Sequence, residues 1–136
     1  MKIIKPIIFI CFLAMGISAK AQTKEKILLE LEAKLMQQLN IPDNYEVKLY
    51  YNIQEKILNI DENGDNMVGI IIPLNQVSFK YIPANTNHYI DIKCKENVAC
   101  MYSNSSDKKN QIGRALKSKK AVYEIIDLIH KLKEIE

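Results

Sequence analysis

The spacing of apolar residues changes twice along this chain, and the two changes fix its fold class. Ile27, Leu28, Leu31, Leu35 and Leu39 recur every three or four positions, with Met36 beside them. That is one face of an α-helix. Lys24, Glu25, Glu30, Glu32, Lys34 and Gln38 occupy the other faces. Thr23 is the expected N-cap, and Asn40 with Pro42 is the expected stop. The period then becomes 2. Tyr45, Val47, Leu49 and Tyr51 alternate with Glu46, Lys48, Tyr50 and Asn52, which predicts a half-buried strand. At Ser118, an expected N-cap, the helical period returns. Ala121, Val122, Ile125, Ile126, Ile129 and Leu132 form its apolar stripe.

Between the two helices the alternation predicts five to seven short antiparallel strands. The first spans 45–52, and a turn at Gln54-Glu55 leads to 56–60. Asp61 to Asn66 is a strong turn signal. Segment 67–74 is nearly all apolar and predicts a strand covered on both faces. Strands follow at 77–81 and 89–94, separated by a loop at 83–87. Segments 98–102 and 111–116 are the last candidates, with a solvated loop at 104–110 between them. The whole is an α+β layout: an N-terminal helix, an antiparallel bent sheet or partial barrel, and a C-terminal helix packed on it.

The N-terminus constrains where the domain begins. Met1 is followed by Lys2 and Lys5, an apolar run over 6–15, and a small-residue end at Ala19-Lys20-Ala21. This is the pattern of a basic region, an apolar region and an A-x-A cleavage site. The run falls short of the roughly 20 apolar residues that span a bilayer. Residues 1–21 are therefore expected to be a signal peptide and 22–136 a single domain, exported to the periplasm or the medium. Cys11 lies inside the apolar run with no small-residue box before it, so neither a lipid anchor nor any stable membrane anchor is expected after cleavage.

Cleavage changes the charge argument. The chain carries 19 Lys and Arg against 16 Asp and Glu, a formal charge of +3. Three of the basic residues (Lys2, Lys5, Lys20) and none of the acidic ones lie in the leader, leaving 16 of each sign. A neutral remnant has no global excess for capturing nucleic acid or an anionic membrane. Its 115 residues suffice for one domain burying about 65% of its unfolded surface.

Two cysteines remain, Cys94 and Cys100, in a compartment that permits oxidation. A disulfide closing this short ring is the expectation, bracketing a hairpin between two strands. The alternatives are two free thiols near a turn, or a metal site. The last is short of ligands, since His88 and His130 are the only other soft candidates.

Chemical motifs are sparse. Asp61-Glu62-Asn63-Gly64-Asp65 imitates the start of a calcium loop. It then fails, with Asn66 where glycine is required and Ile72 where a bidentate glutamate belongs. There is no G-x-S-x-G elbow, no phosphate-cradling glycine loop and no H-E-x-x-H helix. His88 and His130 are the only acid–base candidates near neutral pH. The sequence therefore predicts no enzyme, no cofactor and no metal.

One local basic cluster stands out: Lys108, Lys109, Arg114, Lys117, Lys119 and Lys120. A cationic first turn is mildly unfavourable for the helix dipole, so the cluster exceeds what folding wants. It contains no aromatic residue for stacking on bases, so no nucleic acid is expected. Tyr50, Tyr89, Tyr102 and Tyr123 fall on outward faces, where tyrosine suits recognition. Lys117, Lys119, Lys120 and Tyr89 are the candidate interaction surface.

The closing strand, serine cap and long amphipathic helix resemble the end of pleckstrin-homology-like domains. Lys56 to Tyr81, with its Ile-rich strand ending in Pro73-Leu74 and followed by Val77-Ser78-Phe79-Lys80-Tyr81, is similar to that group too. The resemblance covers about residues 45–134 and rests on hydrophobic pattern. It implies a terminal helix plugging one end of a bent sheet. The phosphoinositide-binding basic loop of some members is not matched, because Asn52-Ile53-Gln54-Glu55-Lys56 offers one lysine beside one glutamate. The Lys-, Ile- and Asn-rich composition and the Ala-Lys-Ala-Gln leader end also resemble small exported proteins of Bacteroidota-type bacteria.

The function expected is a non-catalytic extracytoplasmic binding domain for a protein or envelope component. Two other classes remain open. A carrier of an apolar ligand or lipid would use a cavity lined by Ile70, Ile72, Val77, Phe79 and Tyr81. A small enzyme would use His88 or the cysteine pair.

Overall fold

A computed structural model describes residues 4–39, 46–62, 69–103 and 107–136. Expectations for Asn40, Pro42, Tyr45 and the turn after Glu62 fall largely outside them. The elements in chain order are α1 (Ile4–Gln38), β1 (Lys48–Asn52), β2 (Ile57–Asp61), β3 (Gly69–Pro73), β4 (Val77–Ala84), β5 (Asn87–Cys94), β6 (Met101–Ser103), β7 (Asp107–Lys109), β8 (Gln111–Leu116) and α2 (Lys119–Glu134). All strand pairs are antiparallel. This is the α+β fold that the periodicity predicts.

The strands make two sheets, not one. A five-stranded sheet has the order β1-β2-β3-β6-β7, and a three-stranded sheet the order β4-β5-β8. The chain passes between them three times: through a 3-10 turn at Leu74–Gln76, through 95–100, and at Asn110 alone. The three passages are joined by backbone hydrogen bonds. Lys95 N–H donates to Gln76 O (2.8 Å), Cys94 N–H to Asn110 O (2.8 Å) and Cys100 N–H to Lys109 O (3.2 Å). The Cys94 and Cys100 sulfurs lie at bonding distance, 1.99 Å apart. The pair does not bracket a hairpin. Cys94 ends a strand of the smaller sheet and Cys100 precedes a strand of the larger one, so their bond clamps a sheet-to-sheet passage.

The core lies between the two sheets and both helices. Leu49, Leu58, Ile70, Ile72 and Met101 fill it from the larger sheet, and Val77, Ile90, Ile92 and Leu116 from the smaller. Leu28, Leu31, Leu35 and Leu39 enter from α1, and Val122, Ile125, Ile129 and Leu132 from α2. Leu128 is also buried, whereas Ile126, placed in the stripe by its spacing, is only partly so. Both helices sit on one stretch of core, joined by the Lys34–Glu124 ion pair. The Arg114–Glu62 ion pair (2.8 Å) links β8 to the end of β2.

Several sequence expectations are corrected. Thr23 is not an N-cap: α1 runs through it, and its hydroxyl donates to Ala19 O four residues back (2.8 Å). β3 is covered on one face only. Ile70 and Ile72 are buried, but Ile71 points away from the core and is half-exposed, because no described element lies over that side of the sheet. The loop expected at 83–87 is a tight hairpin instead, with Ala84 opposite Asn87 and Asn85 in a positive-φ conformation (25°). Pro83 is tolerated because β4 is an edge strand. The solvated loop contains β7, which pairs with β6 through Asp107, Lys108 and Lys109. Val98 is not in a strand; it is 66% exposed in the passage. Ile72, the twelfth position of the calcium-like pattern, is fully buried in the core.

Glu32 has a role its position on the polar face of α1 did not suggest. Its carboxylate accepts from the Leu49 N–H of β1 (2.9 Å), an edge strand. A helix side chain thus satisfies an edge donor that would otherwise invite another strand. Ser118 caps α2 as expected, its Oγ accepting from Ala121 N–H (3.1 Å).

Two predictions follow from this geometry. Ser118→Ala should lower stability by about 1 kcal/mol in urea unfolding. Reducing the disulfide should cost about 2 kcal/mol from the ring size alone. Amides of β6 and β7 should then exchange faster than those of β2 and β3. Uniform exchange across both sheets would show that the bond does not act as a local clamp.

Candidate functional site

The described surface concentrates aromatic and cationic side chains where the β4–β5 hairpin meets the start of α2. Tyr81 on β4 and His88 on β5 flank the hairpin, separated by one register step (Pro83 opposite His88, Tyr81 opposite Ile90). The Tyr81 hydroxyl and His88 Nδ1 share a hydrogen bond of 2.7 Å, and the two rings stack at 5.8 Å. From α2, Tyr123 packs on Tyr81 at 5.6 Å between centroids. The Lys119 ammonium lies over the same ring, 5.3 Å from its centre. Tyr81 thus has a histidine, a second tyrosine and a cation around it. Tyr123 is 49% exposed.

The local chain explains the placement. β4 and α2 run in opposite directions along each other: Phe79 meets His130 at 6.2 Å near one end, and Tyr81 meets Tyr123 and Lys119 near the other. Ser118 fixes where the helix starts, which sets Lys119 one residue after the cap and over the ring. A cation facing an aromatic ring at an exposed site contributes about 0.5–1 kcal/mol. That holds the ammonium in place without neutralising it.

The four residues expected as one surface are divided. Lys117 is exposed in the link between β8 and α2. Lys119 joins the Tyr81 cluster. Lys120 pairs with Glu124 at 3.7 Å, as does Lys34. Lys117 and Lys119 take part in none of the ion pairs among the described residues. Tyr89 follows His88 in β5 and so points to the opposite face of the smaller sheet, in register with Ile82 and Ala115. Tyr81, and not Tyr89, is the aromatic residue beside Lys119. Its membership was not legible, because the cluster joins residues from β4, β5 and α2.

Two other chemistries can be placed. His130 stacks edge-on against Phe79, far along α2 from His88, so the two histidines form no pair. Cys94 and Cys100 are bonded to each other. Among the described residues no three His, Cys, Asp or Glu side chains come together to hold a metal ion. An apolar space of about 40 Å3 among the described residues is bordered by Leu31, Leu58, Ile92 and Ile125, with Glu62 and Arg114 also in its lining.

Comparison with known proteins finds no matching family model, no similar curated protein and no similar solved structure.

Electrostatics at the start of α2 give a pH dependence. The hydrogen bond from Lys34 holds the Glu124 carboxyl below the usual carboxylate range, helped by the Lys34 and Lys120 charges. A depressed carboxyl stabilises the fold above its unfolded value of about 4.3, and that contribution is lost as pH falls through its folded value. Lys34→Met should therefore raise the Glu124 midpoint towards the ordinary range in an NMR pH titration. An unmoved midpoint would remove Lys34 as the cause.

Proposed function

We propose that this protein is a non-catalytic, exported binding domain that docks an acidic protein or envelope component at the basic, aromatic start of α2. The carrying observation is Lys119 held over Tyr81 beside His88 and Tyr123, with no carboxylate neutralising it among the described residues. Lys117 adds a second exposed cation. Cations supply orientation and on-rate, and the rings supply contact area at low entropic cost. The export expectation supports the address, and the bonded cysteine pair is compatible with it.

Neither alternative class gains support. A carrier requires space for its cargo, and ligand pockets run from about 300 to 1,000 Å3. The apolar space between the sheets and helices amounts to about 40 Å3 among the described residues. An enzyme using His88 gains little from the Tyr81 hydroxyl at Nδ1, since that bond orients the imidazole without supplying a nucleophile or a carboxylate.

A defined probe tests the proposal. Binding of a hexaglutamate peptide, followed by fluorescence anisotropy, should weaken about tenfold when Lys117 and Lys119 are both changed to glutamate, and should weaken further with salt. The same change in Lys48, on β1, should have little effect. The double variant should also lose partners captured from envelope extract by the unaltered protein. Binding that survives the reversal would eliminate this surface.

A further inference from the structure

The outer face of the five-stranded sheet carries a second, chemically different surface. Its register aligns Tyr50, Asn59, Ile71, Tyr102 and Lys108 in one row that crosses all five strands. Tyr50 is 56% exposed at one end. Tyr102 lies three strand spacings away, about 14 Å, with the Lys108 ammonium 5.5 Å from its ring centre. Beside the row, between the β1–β2 loop and Lys24 of α1, is an open cleft of about 670 Å3. The face also stays open over β3: a Cβ placed on Gly69 would meet nothing within 4 Å.

The lining of the cleft selects a class of ligand. Among the described residues its charged side chains are Lys24 and Glu55, one of each sign, so it favours a neutral guest. Gln54 and Asn59 each present a carboxamide, which both donates and accepts and so matches hydroxyl groups, while Asn52, whose Oδ1 accepts from the Glu55 N–H (3.0 Å), offers its amide NH2 as a donor. The exposed Tyr50 ring offers a flat face for aliphatic C–H groups. Tyr51, the next residue, turns its ring to the core side of β1, where its buried hydroxyl has no hydrogen-bond partner among the described residues. Burial pushes its phenol up from the ordinary value. An extended peptide joining the sheet as a further strand would use an edge, and at the β1 edge Glu32 already takes the Leu49 N–H. A guest lying along the row instead crosses the strands and meets only side chains.

We infer that this face binds a neutral oligosaccharide, with one sugar ring stacked on Tyr50, its hydroxyls held by the Asn59 carboxamide and the Asn52 NH2, and the chain running across Ile71 towards Tyr102. The site is independent of the start of α2, on the other sheet.

The experiment is an amide NMR titration of the full-length protein with three neutral probes, chitotetraose, cellotetraose and mannotetraose, and with tetragalacturonate and tetra-alanine as contrasts. Saturable shifts at Tyr50, Asn59, Ile71 and Tyr102 with a neutral sugar are expected. Tyr50→Ala should weaken that binding about tenfold, and Tyr50→Phe should retain it. Tyr50 is exposed, so both variants should keep the native amide spectrum elsewhere. Lys119→Glu should leave sugar binding unchanged, which separates this site from the acidic-partner surface. The inference is overturned if none of the three neutral sugars shifts the row at millimolar concentration. It is also overturned if tetragalacturonate or tetra-alanine shifts it more strongly, or if Tyr50→Ala binds as well as the unaltered protein.

Discussion

Three passages of the chain between two sheets meet at one corner, and the rest of the fold depends on their being held there. Each sheet alone would present an uncovered apolar face. The larger contributes Leu58, Ile70 and Ile72, and the smaller Val77, Ile90 and Ile92. These faces become a shared core only if the sheets are kept together. Hydrogen bonds from Lys95 to Gln76, from Cys94 to Asn110 and from Cys100 to Lys109 tie the passages to one another. The Cys94–Cys100 bond adds a covalent link across the longest of them. Such a bond acts chiefly by limiting the unfolded chain, so it need not be strong in the folded state to matter.

Away from that corner the space between the sheets is closed by helices. α2 lies on β4, β5 and β8, while α1 covers β1 and packs on α2. The polar and aromatic side chains are left to the outside. Where α2 starts, its first turn must project residues past the hairpin of the smaller sheet, and Lys119 and Tyr123 gather round Tyr81. Where no described element covers the larger sheet, Tyr50 is exposed and Ile71 and Tyr102 are partly so. Both candidate surfaces are by-products of how two helices and two sheets divide the covering of one core.

Much of this was legible in the sequence, and the reasons for what was not are physical. Apolar period locates α2, β1, β4, β5 and β8 because each has one face in the core. Ser118 was recognisable since a hydroxyl before an amphipathic run has one common use. The division into two sheets was hidden, because a strand alternates identically in either sheet. β7 was hidden because Asp107-Lys108-Lys109 carries no apolar residue, being a short polar edge paired only to β6. Glu32 looked like an ordinary solvated residue, since its partner Leu49 is 17 positions away. Tyr81 was read as core from its alternation with Lys80, and the Phe79 and Tyr81 side of β4 does face α2. What alternation cannot tell is that the covering helix begins there, leaving the ring partly open to solvent.

The proposed leader meets the domain in a way that bears on its removal. α1 is continuous from Ile4 to Gln38, so the proposed cut after Ala21 falls within a helix. A protease takes its substrate extended, so this stretch must unwind first. Little opposes that. Ala19, Ala21 and Gln22 are exposed, and the first α1 residue in the core is Ile27. Helix ends unsupported by tertiary packing are marginal in water. Cutting at Ala21 also removes Ala19, whose carbonyl accepts the Thr23 hydroxyl. The hydroxyl is thereby released just where a new helix start needs an oxygen acceptor for its free N–H groups. Thr23 would then be free to take the N-cap position that its sequence context predicts, four residues before Ile27, the first α1 residue in the core. In the full chain the Thr23 hydroxyl acts as a donor; after the proposed cut it would be free to act as an acceptor.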